Sequence, residues 1–167
     1  MAAKRTVVLE HDRIQRKLDR MALQLLERNV DEKQLILVGI VPRGAALAKR
    51  LKKLLDASGL VKTEILDLIL PKDGPLIAPV ELNPGNTKMD GKTVVLVDDV
   101  LMSGRTLMHA ASHLVKFPLK SLTTVVLVDR LHRTYPIRAD IVGLTLSTTF
   151  EEHISVEMGA KDTVYLS

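Results

Sequence analysis

The sequence predicts an α/β domain built on a mainly parallel central sheet. Two observations carry that expectation: continuous apolar runs recur along the chain, as strands buried on both faces require, and amphipathic helical segments alternate with them. A third observation places the chemistry. Two of the apolar runs end abruptly in charged and turn-forming residues, and in parallel sheets ligands bind beyond the carboxyl ends of the strands.

The first element is a helix over 10–29, with Ile14, Leu18, Met21, Ala22, Leu25 and Leu26 on one face at helical spacing. "LILVGIV" (35–41) reads as a buried strand. A second helix follows over 44–58, with Leu47, Leu51, Leu54 and Leu55 inward and Gly59 as its stop. "TEILDLIL" (63–70) is the next strand. Residues 71–92 then hold four prolines and three glycines, which predict a lid-like loop without regular structure. "TVVLVD" (93–98) is a strand and 104–117 a helix, with Leu107, Ala111, Leu114 and Val115 inward. Strands over 122–128 and 139–146 complete the sheet, and "TVYL" near the end is read as a further edge strand.

Length and composition bound the rest. The 167 residues suffice for one domain, 1–167, and not for two of ordinary size. The absence of cysteine excludes disulfides, zinc–thiolate sites and thiol nucleophiles. No run approaches the roughly 18 apolar residues of a transmembrane helix. The apolar stretch in "MAAKRTVVLEHDR" is too short for a signal peptide, so the expectation is a cytoplasmic protein without membrane contact. A net charge of +4 suits anionic small molecules as readily as nucleic acid. With no tryptophan, two tyrosines and two phenylalanines, a platform for stacking single-stranded bases is not expected.

The most informative stretch is "TVVLVDDVLMSGRT", 93–106. A β-branched run ends in Asp98 and Asp99, and a turn with Ser103, Gly104 and Thr106 leads into a helix. Gly104 permits a tight turn, the helix start offers N–H groups and a positive dipole end, and the hydroxyls add donors. That combination suits a phosphate monoester; taken alone, it also suits Ser103 as an ordinary helix cap. The acid pair breaks the tie. Adjacent carboxylates repel a bare phosphate and each other, so they need ribose hydroxyls, Mg²⁺ or both. Arg43 and Gly44, in "VGIVPRGAALA" (38–48), form a second strand-to-helix turn with a guanidinium suited to phosphate. Rival motifs fail. There is no G-x-G-x-x-G or H-E-x-x-H, and Ala45-Ala46 stands where a P-loop after Gly39 and Gly44 needs Lys-Ser/Thr. His109 and His113 lie four apart on one helix with no acidic third ligand nearby, and both are expected on the surface.

Together these residues resemble a known family. "VVLVDDVLMSGRT" is similar to the ribose-phosphate signature of type I phosphoribosyltransferases, and "GIVPRG" to that superfamily's pyrophosphate loop. "VVLVDRLHRTYPIRADIVG" (125–143), "LLERN" and "ILVGI" resemble the PyrR branch, pyrimidine-operon attenuators that are also uracil phosphoribosyltransferases. The resemblance covers nearly the whole chain. It implies the type I phosphoribosyltransferase fold, with a flexible lid over 71–92 and a small hood. It implies an enzyme that converts uracil to UMP with Mg²⁺ and phosphoribosyl pyrophosphate (PRPP), and a homo-oligomer of two or more copies. By the same resemblance, Asp98 and Asp99 hold the ribose hydroxyls, directly or through the metal. Leu101 and Met102, with Ser103, Gly104, Arg105 and Thr106, wrap the 5′-phosphate, and Val100 lies beside them at the PRPP site. Arg43 and Gly44 face the pyrophosphate, Lys72 closes over that leaving group, and Arg138 meets an exocyclic oxygen of the base.

Some positions depart from the family pattern. Met102 stands where 6-oxopurine enzymes carry an aspartate, Leu144 where a lysine is usual, and Leu131 where a glycine is usual. The branch binds RNA through its first helix and the segment around 130–138. Here Arg20, His132, Arg133 and Arg138 are kept, whereas Asp19 and Leu23 replace a threonine and a histidine. Two alternatives therefore stand beside the uracil enzyme: a regulatory RNA-binding protein that senses nucleotides with little catalysis, and a phosphoribosyltransferase for another nucleobase.

Overall fold

The computed structural model describes residues 5–71, 73–149 and 151–167. Nine strands and three helices are present among them: β1 (Thr6–Leu9), α1 (His11–Arg28), β2 (Gln34–Ile40), α2 (Arg43–Ala57), β3 (Lys62–Ile69), β4 (Glu81–Asn83), β5 (Thr93–Leu101), α3 (Arg105–Leu114), β6 (Ser121–Asp129), β7 (Ile141–Thr145), β8 (Ile154–Glu157) and β9 (Thr163–Leu166). The main sheet has the order β4-β3-β2-β5-β6-β7, parallel throughout except for the β3–β4 pair.

The continuous apolar runs are continuous because both faces of the sheet are covered. Along β2, Leu35 and Leu37 join one core with α1 and α2, while Ile36, Val38 and Ile40 join a second core with α3. The two-residue period of the strand thus feeds two separate apolar layers. α1 buries Ile14, Leu18, Met21, Ala22 and Leu25, as its spacing predicts, and Leu26 packs partly against the same core. α2 stops where expected, with Gly59 in the left-handed region at φ +70° just beyond its C-cap.

Three local expectations are corrected, and two strands were not expected at all. α3 ends at Leu114, so Val115 leaves the helix and is 62% exposed. Residues 71–92 are not wholly irregular. β4 forms there by adding an antiparallel strand to the edge of β3, and Met89 is 1% exposed in the core beneath α3. Burying a methionine contributes roughly 2 kcal/mol, which anchors the second half of this segment. "TVYL" is a strand, but it lies in a second sheet of order β1-β9-β8, not on the main one. β1 and β8 are too short and too weakly patterned to read in isolation; they exist as strands because β9 pairs antiparallel with both.

This small sheet is a hood that shares the α1/α2 core through Leu9, Ile154, Val156 and Val164. A buried carboxylate fixes its position. Asp162, fully buried, accepts from Arg50 Nη2 at 2.5 Å, Gln15 Nε2 at 2.9 Å and the Gly159 N–H at 3.1 Å. Its own N–H donates to His11 Nδ1 at 3.0 Å. One side chain therefore joins the hood to α1 and α2. Asp162→Ala leaves these donors without their acceptor, and a urea melt is expected to show a loss of about 2–4 kcal/mol, discounted because Arg50 is partly exposed. A loss below about 1 kcal/mol would remove this side chain as the anchor.

Candidate active site

The site is built from the last residues of β5. β2 pairs with β5 only as far as Gly39–Val97, whereas β6 continues alongside through Asp98–Val126 and Val100–Val128. Asp98 and Asp99 therefore project where the central strand outruns one neighbour. They are not at its end, as the sequence reading has them, but inside its last four residues. Both are buried, at 5% and 6% exposure. The Asp99 N–H donates to Asp98 Oδ1 at 2.9 Å, and Arg43 Nη1 lies 3.8 Å from Asp99 Oδ2. Two adjacent buried carboxylates are costly, and the half-exposed guanidinium of Arg43 offsets part of that cost.

Arg43 is placed by α2, of which it is the first residue. Gly44, next to it, sets how closely that helix approaches β5. A Cβ at Gly44 would lie 2.5 Å from the Val97 carbonyl oxygen and 3.2 Å from Asp98 Oδ1. Its role in the apo fold is thus close packing against the acid pair.

After β5 the chain turns through Gly104, which is in the left-handed region at φ +86° and is the N-cap of α3. Ser103 is not the cap itself, contrary to the simple capping reading, but its Oγ accepts from the Arg105 N–H at 3.2 Å. The segment after β6 buttresses this turn. Ser103 O accepts from the N–H groups of Thr134 (2.9 Å) and Tyr135 (3.1 Å), and a Cβ on Gly104 would meet Ile137 Cγ2 at 2.9 Å. Arg105 sends its guanidinium to the Tyr135 hydroxyl (2.9 Å) and to Gly74 O.

A cavity of about 410 Å³ brings these parts together. Arg43, Asp98 and Asp99 line it with the turn residues Val100 to Thr106. Asp73, Val126, His153 and Ile154 also line it and were not singled out from the sequence. Asp73 and His153 come from the loop before β4 and from the edge of the hood, positions that no spacing rule connects to β5. Gly44 supports the cavity from behind. Arg138 is exposed and lines a neighbouring recess with Arg133, Tyr135 and Ile137 rather than the cavity that holds the acids. Lys72 lies outside the described residues. Leu144 packs partly against the α1/α2 core.

The two α3 histidines differ from expectation. His109 is buried at 4% exposure and its Nε2 lies 2.9 Å from Ala78 O. His113 stacks edge-on with Phe117; burial first, then the charges of Lys116 and His109, hold its pKa below the usual imidazole value. Among the described residues no group of three or more His, Asp or Glu gathers as a metal cage. No described helix is long and apolar enough to cross a membrane.

The cavity lies at the carboxyl ends of the parallel strands, lined by two acids, an arginine and a glycine turn at a helix start. The family model for the phosphoribosyl transferase domain matches residues 5–161. Among curated proteins, the "Bifunctional protein PyrR" of Pelotomaculum thermopropionicum is 38% identical over 168 residues, covering 95% of this chain and 91% of that protein. The protein of the same name from Synechocystis is 36% identical over 176 residues, covering 99% and 98%. Among solved structures, a hypoxanthine-guanine phosphoribosyltransferase of Bacillus anthracis superimposes with a TM-score of 0.72 at 22% identity, covering 86% of this chain and 84% of that one. A hypoxanthine phosphoribosyltransferase of Trypanosoma cruzi gives 0.76 at 17% identity, covering 87% and 80%; both likenesses concern the fold. The chain belongs to the phosphoribosyltransferase family, and within it to the PyrR branch.

Gly44→Ala tests the packing account. Helix propensity alone favours alanine by about 1 kcal/mol. The clash with Val97 O predicts the opposite sign, a loss of about 1–3 kcal/mol in a denaturant melt. A stabilised variant would show that α2 does not rest on β5 through this glycine.

Proposed function

We propose that this phosphoribosyltransferase transfers the phosphoribosyl group of Mg-PRPP to uracil, giving UMP and pyrophosphate. The observation that carries the reading is the meeting, in one cavity, of a buried acid pair, a facing arginine and a glycine turn at a helix start. The donor set fits the metal that the family implies. Two carboxylates, with no third His, Asp or Glu gathered about them among the described residues, suit a Mg²⁺ that keeps waters and substrate oxygens. When bound, that ion supplies charge neutralisation at the departing pyrophosphate.

The chain's own groups do the positioning. Asp98 and Asp99 accept hydrogen bonds from the ribose hydroxyls and set the sugar's orientation. The N–H groups at the start of α3, with the Ser103 and Thr106 hydroxyls, hold the 5′-phosphate. Arg43, freed from Asp99 as the ribose arrives, turns to the pyrophosphate. As the anomeric carbon gains oxocarbenium character and pyrophosphate carries off the bonding pair, the base nitrogen attacks from the opposite face. Lys72 at the leaving group and Arg138 at the base are carried over from the family resemblance. Uracil is favoured by the PyrR kinship and by Met102 at the cavity wall, since a thioether cannot take the proton that a purine-directed carboxylate would.

Asp98→Asn combined with Asp99→Asn is expected to abolish Mg-PRPP binding by calorimetry while leaving the melting temperature unchanged or raised. Undiminished affinity would refute the role of the acid pair. Pyrophosphate release, measured with Mg-PRPP and each nucleobase in turn, is expected with uracil and not with hypoxanthine or guanine.

RNA binding is the second reading. In its favour, Arg13, Arg16, Lys17 and Arg20 line one recess on α1, and burial plus the charges of Arg20 and Arg13 lower the Lys17 pKa. Against it, Arg20 donates to the Val142 and Gly143 carbonyls, His132 bonds Thr148 O, and Arg133 pairs with Asp129. Filter binding at two salt concentrations is expected to show weak, salt-sensitive and sequence-indifferent association. Tight, selective binding without turnover on any base would make the regulator the better reading.

A further inference from the structure

The buried histidine of α3 has no part in the cradle, yet it is bonded to the loop that faces the cradle. His109 Nε2 is 2.9 Å from Ala78 O. One helical turn earlier, on the same face, Arg105 donates to Gly74 O. Two donors four residues apart on α3 thus meet two carbonyls four residues apart in the loop. The loop itself is a pair of tight turns, with the Gly74 N–H donating to Pro71 O at 3.4 Å and the Ala78 N–H to Pro75 O at 2.8 Å. It has little apolar anchorage at its tip, where Ile77 is 93% exposed. Polar contacts to α3 therefore dominate its position. This same loop brings Asp73 to the cavity wall.

We propose that His109 is a positioning residue for phosphoribosyl transfer: with Arg105 it clamps residues 73–78 over the mouth of the cavity. The inference rests on the reading of that cavity as the PRPP site. Its physical basis is that one rigid helix carries both the phosphate turn, at Gly104, and the lid anchor, at His109. A phosphate seated at the helix start fixes α3, and α3 fixes the lid. Water is then kept from the anomeric carbon, where it would compete with the base for the phosphoribosyl group. The bond requires a proton on Nε2, because the Ala78 carbonyl can only accept.

The test uses the full chain with His109→Ala, His109→Gln and, as a control one helical turn further along α3 that makes no hydrogen bond to this loop among the described residues, His113→Gln. Glutamine keeps an N–H donor at similar reach; alanine does not. Amide hydrogen exchange without ligand is expected to speed up over 73–80 in His109→Ala by about five- to tenfold, the worth of one net hydrogen bond. His109→Gln restores much of the protection and His113→Gln leaves it unchanged. In the transfer assay, His109→Ala is expected to release pyrophosphate in excess of nucleotide formed, with a lower kcat and little change in KM for PRPP. His109→Gln brings the ratio back towards one. Unchanged exchange over 73–80 in a folded His109→Ala overturns the clamp. Faster exchange with an unchanged ratio of pyrophosphate to nucleotide overturns the positioning role. If the wild type releases no pyrophosphate with any base, the PRPP reading fails, and the positioning role with it, while the exchange arm still decides whether the clamp exists.

Discussion

The structure depends on keeping two adjacent carboxylates buried at the far end of its central strand. Asp98 and Asp99 are buried beside two largely apolar layers, where a charge is costly unless it is well compensated. The neighbouring elements are arranged around that burden. β2 stops pairing one residue before the acids, α2 starts beside them with Arg43, and Gly44 lets the helix approach without a side chain between. The result suits a ligand that brings hydroxyls and a cation, as the proposed function requires. Under the proposed function, function and stability are opposed at this point, since the carboxylates read as binding the sugar carry a burial cost.

The rest of the fold encloses that point. α3 begins at the Gly104 turn and lies against the second core, so its start cannot shift without disturbing Leu107 and Leu114. The loop over 133–138 supports the turn from outside through Ser103 O and Gly104. The hood closes the opposite wall with His153 and Ile154 and is held down by the buried Asp162. Each wall comes from a different part of the chain.

Much of this was legible in the sequence, for a physical reason. A strand buried on both faces must be apolar throughout, so β2, β5 and β6 announce themselves; an amphipathic helix must repeat, so α1 and α2 do too. The acid pair and Gly104 were legible because charge and glycine at the end of such a run have few structural uses. What escaped notice depends on partners distant in sequence. β4 is a strand only because β3 offers an edge. β1 and β8 exist only because β9 lies between them. His109 was expected at the surface because helical periodicity records what the sheet covers, whereas a loop thirty residues earlier in the chain covers this residue. Leu131, at a position where the branch usually has glycine, adopts φ +69° with its N–H bonded to Asp129 Oδ1, a conformation that composition alone does not betray.

The central claim is that the turn after the acid pair is the phosphate site, and backbone amides report on it directly. In ¹H–¹⁵N spectra recorded during a titration with Mg²⁺ and PRPP, the amides of Gly104, Arg105 and Thr106 are expected to shift downfield and saturate together with those of Asp98 and Asp99. Shifts that saturate elsewhere on the chain, with these five amides unmoved, would contradict the account.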